Sequence, residues 1–237
     1  MSETLELFQQ ALIDCINAIP ITLFLTAVSV ACGLMLSVPF AVISYKKKTV
    51  AAKLINGFVY FFTGTPLLVQ LYIFYYGIPS LEFVNHLMHQ PGFEILKGSY
   101  IYVLAALTLN TAAYSTVIFS GAIRNTERGE IEAAMAYGMT KAQAMRRVIL
   151  PSSLRRALPA YSNEVIMTLH STALASTVTI MEITGAASFF NSTYYEPFIA
   201  YSAAALLYLI INGLLVFGFR QVEKRYLVHL KRRVQTA

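Results

Sequence analysis

"EIEAAMAYGMTKAQAMRRVILP", residues Glu130 to Pro151, is a charged, alanine-rich stretch in the middle of a chain that is 57% hydrophobic and only 13% charged. Glu127, Glu130 and Glu132 crowd its start, where negative charge suits a helix N-terminus. Ile131, Ala134 and Met135 then recur at i, i+3 and i+4, the apolar stripe of one helical face. Gly138 offers a left-handed stop. Thr140 and Gln143 fit the S/T-x-x-E/Q capping box of a second helix, whose stripe is Met145, Val148 and Ile149. Pro151 and Pro159 are expected to limit continuation of that second helix. The pattern predicts two short amphipathic helices joined at a glycine elbow. By periodicity alone they are equally well a loop lying on lipid.

What flanks the stretch makes it unusual. Soluble domains run near a quarter charged, and a membrane span needs roughly 20 mostly apolar residues. Five segments qualify: 18–45, 54–79, 99–123, 158–181 and 197–220. The first three hold no charge, the fourth holds only Glu164, and the apolar run of the fifth ends at Phe219. The mean hydropathy of +0.58 agrees with a polytopic membrane protein. The spans leave 124–156 as one long loop around the opening stretch.

The 18 basic residues are placed asymmetrically. Lys46, Lys47, Lys48 and Lys53 lie between spans one and two. Arg124, Arg128, Lys141, Arg146, Arg147, Arg155 and Arg156 lie between spans three and four. Arg220, Lys224, Arg225, Lys231, Arg232 and Arg233 follow span five, and only Lys97 falls in the other loops. By the positive-inside rule the N-terminus is outside, the C-terminus is in the cytoplasm and the opening stretch is an inside loop. The net charge of +6 is thus topological and lipid-facing, and nucleic acid is not an expected partner. Cys15 and Cys32 are too few for a disulfide framework and read as small apolar residues. No cleavable signal is expected, since the first 14 residues hold Glu3, Glu6 and Asp14 and no Lys or Arg.

Spacing adds a specific resemblance. Glu132-Ala133-Ala134, three residues, Gly138, nine residues and Val148-x-Leu150-Pro151 resembles the EAA loop of ABC importer membrane subunits, EAA-x3-G-x9-I-x-L-P, with Val in place of the first aliphatic. "FTGTPLLVQ" (62–70), "LTLNTAAYSTVIFSGAIR" (107–124) and "LPAYSNEVIMTLHSTALA" (158–175) resemble the polar amino acid permease family, above all the M-type subunits of basic amino acid importers. The likeness runs from about 19 to 233. It implies an all-α integral membrane fold, similar to type I ABC importers, with 1–237 as a single permease domain. Its N-terminus would be periplasmic, its C-terminus cytoplasmic, and its setting the bacterial inner membrane. It also implies four kinds of partner: a second permease subunit (homologous, or a second copy of this chain), two cytoplasmic ATPase subunits, a periplasmic amino-acid-binding protein and membrane lipid. The elbow would then be a coupling helix that docks in the ATPase. Glu132 and Gly138 would shape it, Ala133 and Ala134 would allow close approach, and Leu150 and Pro151 would close the motif. The chain has no Gly-Lys dipeptide and so no P-loop. No cofactor is expected on this chain; ATP and Mg belong to the ATPase.

Glu164 heads a polar stripe, Glu164, Thr168, Ser171, Thr172, Ser176 and Thr179, whose steps follow one helical face, with Asn163 and His170 beside it. A carboxylate in a span should face protein or a water-filled path. The stripe either hydrogen-bonds a partner helix or lines a substrate path, with Glu164 as counter-charge to a cation; the resemblance favours the path. His170 is a candidate contact or a merely hydrogen-bonded histidine. Asn110, Thr111, Tyr114 and Ser115 form a second cluster in span three. Thr63, Thr65 and Gln70 surround Gly64 and Pro66 in span two, where Gly-Thr-Pro should break or kink the helix and expose carbonyls. The alternative there is a packing kink with Gly64 at a close helix contact. The segments 79–99 and 182–196 read as external connections, either plain loops or contacts for a binding protein. No His or Cys pair has metal-ligand spacing.

The main rival is an ion-coupled secondary carrier in which Glu164 and His170 relay protons. Such carriers usually show inverted repeats, and none is evident. An intramembrane enzyme is disfavoured, since the spans hold no HExxH, no GxSxG and no paired carboxylates.

Overall fold

The computed structural model describes residues 2–45 and 49–226, every element of which is helical. Helix α1 is Ser2–Tyr45 and α2 is Val50–Gly64. Helix α3 is Leu67–Ser80, widened by a π turn at Ile73–Gly77. The short α4 is Glu82–Met88, α5 is Ser99–Arg124 and α6 is Arg128–Ala136. Helix α7 is Lys141–Val178, α8 is Ile183–Tyr194 and α9 is Pro197–Tyr226. Lys46, Lys47, Lys48, Lys231, Arg232 and Arg233, on which the orientation partly rests, lie outside the described residues.

Among the described residues three helices are long and apolar enough to cross a membrane: α1, α5 and α9. The number rises to five if two bent pairs, α2 with α3 and α7 with α8, each count as one span. At 1.5 Å per residue the 44 residues of α1 run roughly 65 Å, about twice the apolar thickness of a bilayer. So α1 begins well before the expected 18–45 and passes through Pro20 and Pro39 unbroken.

Helix α1 is the spine on which three core clusters assemble. Its N-terminal half buries Ala11, Cys15 and Ala18 against Ala187 and Phe190 of α8 and Ala200 and Ala203 of α9. Its middle buries Leu25 among Leu71, Val103 and Val178. Its last turns place Ala41 with Phe119, Ala134, Ala144 and Ile149. Small residues dominate these contacts, as expected where packing rather than water exclusion holds helices together. One close approach between α1 and α5 is at Gly33, where an added Cβ would lie 2.8 Å from Thr111 Cγ2.

The helix breaks at Gly-Thr-Pro as expected: α2 and α3 meet at a 106° corner across Thr65 and Pro66. Two other expectations are corrected. The close-contact reading of Gly64 fails, since nothing lies within 4 Å of a Cβ built there. The second helix of the loop does not stop at Pro151 or Pro159. A π turn at Met145–Ile149 carries it directly into Leu150–Ser171, so α7 is continuous. Pro151 falls in the first turn of that α segment, where a missing N–H costs little. Pro159 costs one backbone bond inside a helix held by its neighbours.

The segments read as external connections are also more ordered than loops. Segment 79–99 contains α4 and a 3-10 turn at Glu94–Lys97. Segment 182–196 is mostly α8, nucleated by Glu182, whose Oε1 accepts from Gly185 N at 2.8 Å as an N-cap. That carboxylate is fully buried and also accepts from the Tyr208 hydroxyl at 2.6 Å. Acceptance at the N-terminal amides is what Asp or Ser does at this position; with Glu there, the sequence carries no cap signal.

Candidate functional site

Two features carry chemistry, one at the corner of α2 and α3 and one at the loop between α5 and α7. At the corner, the break frees backbone carbonyls, and side chains recapture them. Gln70 Nε2 donates to Phe62 O at 2.8 Å, Thr65 O at 3.0 Å and Thr65 Oγ1 at 2.8 Å. Asn110 Nδ2, from α5, donates to Gln70 Oε1 at 3.0 Å and to Phe62 O at 3.3 Å. Thr65 Oγ1 donates to Phe61 O at 2.8 Å. The carbonyls expected to be exposed are therefore largely satisfied, which is how broken helices survive at membrane depth. Gln70 is 1% exposed.

Beside this corner lies a cleft of about 270 Å³. Thr65, Asn110, Tyr114, Glu164, Thr168 and Ser171, all anticipated, line it together with Thr111 and the apolar Pro66, Leu67, Leu107 and Met167. Thr111 and Thr168 share a hydroxyl–hydroxyl hydrogen bond of 2.7 Å that pins α5 to α7 beneath the cleft. No Lys, Arg or His lines it, so Glu164 brings its only ionisable carboxylate without a cationic neighbour in the wall. Tyr114 and Met167 line the cleft yet remain 40% and 52% exposed, so this wall is open on one side.

The remaining candidates are elsewhere. Gln70 supports the cleft from behind. Asn163 and His170 are exposed and do not line it. Thr172 is buried and donates to Leu169 O at 2.7 Å. The stripe divides there because α geometry tightens to 3-10 over Thr172–Val178 and ends at Thr179 with φ of 69°. Thr179 Oγ1 meets Ser99 Oγ at 3.3 Å, far from Glu164 in sequence and outside the cleft. Among the described residues no group of three or more His, Cys, Asp or Glu is placed to hold a metal ion.

The loop follows the expected local signals. The Met139 N–H donates to Ala134 O and the Gly138 N–H to Met135 O, at 3.2 and 2.9 Å, the paired closure of a Schellman motif with Gly138 at φ of +75°. Both halves of the Thr140–Gln143 capping box form. Glu132 and Ala133 point outward, whereas Ala134 is buried in the cluster around Ala41 and Phe119, so its small size serves the protein's own packing. Leu150 and Pro151 are half-buried at the start of the long α segment.

Sequence reasoning missed the residue that ties this loop together. Arg156 Nη1 lies 3.1 Å from Glu130 Oε1 and donates to Ser152 Oγ at 2.7 Å. Its Nη2 donates to Thr126 Oγ1 at 3.0 Å and to Ser153 Oγ at 3.3 Å. Arg156 was counted only as one of the inside positive charges; its partners, 26 and 30 residues away, leave no periodic trace.

The chain's similarities agree with this architecture. Residues 33–228 match the family described as binding-protein-dependent transport system inner membrane component. The histidine/lysine/arginine/ornithine transport system permease protein HisM of Escherichia coli (strain K12) is 47% identical over 219 residues, covering 91% of this chain and 90% of that protein. The octopine transport system permease protein OccM of Rhizobium radiobacter is 39% identical over 214 residues, covering 90% and 86%. The crystal structure of an amino acid ABC transporter with histidines superposes with a TM-score of 0.76 at 28% identity, covering 95% of this chain and 96% of that one. The inward-facing methionine transporter MetNI, at 19% identity, 90% and 95% coverage and a TM-score of 0.72, shares the fold.

Proposed function

The chain belongs to the family of binding-protein-dependent transport system inner membrane components, and from that premise we propose that it is the permease subunit of an ATP-driven importer of basic amino acids whose path passes Glu164. One observation carries the substrate class: Glu164 opens onto a cleft that holds no cationic side chain. A lysine, arginine, ornithine or protonated histidine side chain supplies the missing charge. The hydroxyls of Thr65 and Ser171 donate to backbone carbonyls, so their lone pairs are turned to acceptance, which suits a cationic group. The relatives whose names specify histidine, lysine, arginine, ornithine and octopine support the same class.

The chain is a transport subunit and not an enzyme. Residues 1–237 form one permease domain of five spans, with α2–α3 and α7–α8 each crossing as a bent unit, the N-terminus periplasmic and the C-terminus cytoplasmic. Helix α6 is the coupling helix. It presents Glu132 and Ala133 to one of two cytoplasmic ATPase subunits, which hold the ATP and Mg, and the Gly138 elbow, with Leu150 and Pro151, passes the movement to α7. A second permease subunit, homologous or identical, closes the open side of the cleft at Tyr114 and Met167. A periplasmic binding protein delivers the amino acid.

The test is uptake by the complex, isolated through a tag on this chain and placed in vesicles with its binding protein. ATP-dependent uptake of arginine, lysine or histidine is expected, and Glu164→Gln should cut it roughly tenfold, the value of one charge-assisted hydrogen bond. Uptake that survives ATP depletion and collapses with the proton gradient would replace this reading with the ion-coupled carrier.

A further inference from the structure

The loop end of the molecule holds a larger cavity, about 810 Å³, unconnected with the cleft at Glu164. Its walls are Val42 and Tyr45 from the last turn of α1, Ile131 and Met135 from α6, and Met145 and Ile149 from α7. Ile131 and Met135 are on the α6 face turned away from the outward Ala133. The groove therefore lies between α6, the end of α1 and the start of α7, and it opens to the surface at the exposed Met135, Lys141 and Arg146.

Its charge is one-sided. Lys141 and Arg146 line it, both are exposed, and no Asp or Glu is among the lining residues. A mainly apolar groove with two exposed cations in its wall matches an amphiphile with an anionic head. Val42 and Tyr45 end a helix whose preceding turns are charge-free, so the slot opens where that span leaves the apolar layer. Two methionines in the walls suit a flexible chain, since thioether side chains adapt to irregular shapes. Basic pockets between helices on the cytoplasmic side are a known setting for anionic lipid head groups.

We propose that this groove holds one anionic phospholipid of the inner leaflet, its acyl chain along Val42, Met145 and Ile149 and its phosphate between Lys141 and Arg146. The proposal rests on the inside placement of the loop given above, but not on the substrate. The lipid would wedge the end of α1 against α6 and α7, so the coupling loop would be seated partly by the bilayer's own composition.

The experiment is native mass spectrometry of the delipidated complex in detergent, titrated with phosphatidylglycerol or phosphatidylcholine of the same acyl chains. Wild type should retain phosphatidylglycerol roughly tenfold better, because its head group is net anionic beside two cations whereas the choline ammonium offsets the phosphate of phosphatidylcholine. Lys141→Gln with Arg146→Gln should abolish that preference. Met135→Trp, which fills the slot but keeps both cations, should lower binding of phosphatidylglycerol as well. Equal retention of the two lipids by wild type, or an unchanged preference in the double variant, would overturn the proposal. Displacement by millimolar inorganic phosphate alone would also overturn it, in favour of a bare anion site. So would crosslinking of the Met135→Cys variant to the ATPase, which would assign the groove to a protein partner. Lipid retention is read without transport, so a failed importer reading and a failed lipid site give different results.

Discussion

Arg156 of α7 grips Glu130 of α6 at 3.1 Å while also holding Thr126, just past the end of α5, at 3.0 Å. One guanidinium thus joins the connection after α5, the loop helix α6 and the long helix α7. A planar fork can do this where an ammonium cannot, because its donors are fixed in different directions.

Arg156→Ala removes the ion pair and leaves Glu130 half-buried without its counter-charge. The loss should be about 2–3 kcal/mol, in the range for hydrogen bonds to charged groups, and should appear as a lower melting temperature of the complex in detergent. Arg156→Lys should recover part of it. An alanine variant that melts with wild type would show that the joint is redundant.

Gln70→Leu keeps the volume at the α2–α3 corner but deletes every bond that Gln70 Nε2 makes to Phe62 and Thr65. Thr65 O loses its Gln70 donor, Phe62 O keeps only the 3.3 Å bond from Asn110, and Asn110 Nδ2 loses its Gln70 acceptor. Each unmet buried polar group costs about 1–3 kcal/mol, so the variant should accumulate poorly and its corner should exchange amide hydrogens faster. Unchanged exchange across 62–70 would mean that the corner is held by other contacts.

Gly138→Ala is unopposed by any neighbour within 4 Å, so its effect isolates backbone strain at φ of +75°. That strain should cost roughly 1–2 kcal/mol, with Gly138→Asn closer to wild type. In the assembled complex the alanine variant should hydrolyse more ATP per amino acid imported. A ratio equal to wild type would remove the elbow from coupling.

Gly33→Ala drives a Cβ to within 2.8 Å of Thr111 Cγ2 and so disturbs the Thr111–Thr168 hydrogen bond under the cleft. Overpacking of this kind costs about 1–3 kcal/mol. Gly213→Ala, with nothing within 4 Å, is the control and should be neutral or slightly stabilising. Equal stability of the two variants would refute the close contact between α1 and α5.

Local signals were the readable part of this protein. Thr140, Gln143 and Gly138 do what their spacing announces, because capping and left-handed turns depend on residues a few positions apart. The same holds for Glu164, Thr168 and Ser171, which share a cleft because they share a helix face. Contacts set at a distance were not readable. Gln70 is held by Asn110, 40 residues on, and nothing in the Gly-Thr-Pro motif distinguishes a modest kink from a 106° corner. Pro151 looks like a stop until the π turn before it places it in the first turn of the next segment. Glu182, in what reads as an outside connection, is a buried cap because Tyr208 folds back onto it.

The continuity of α7 has a mechanical meaning. A chain of separate helices would transmit movement through several yielding hinges, each absorbing part of the stroke. Between the π turn ending at Ile149 and the 3-10 segment starting at Thr172 there is instead one stiff shaft. Arg156 is seated near one end of that shaft, and Glu164, Thr168 and Ser171 sit farther along it. On the proposed coupling role, a twist of the loop would reach the cleft along this one helix, with the backbone bond missing at Pro159 its weakest point, and the gearing would be a property of helix geometry.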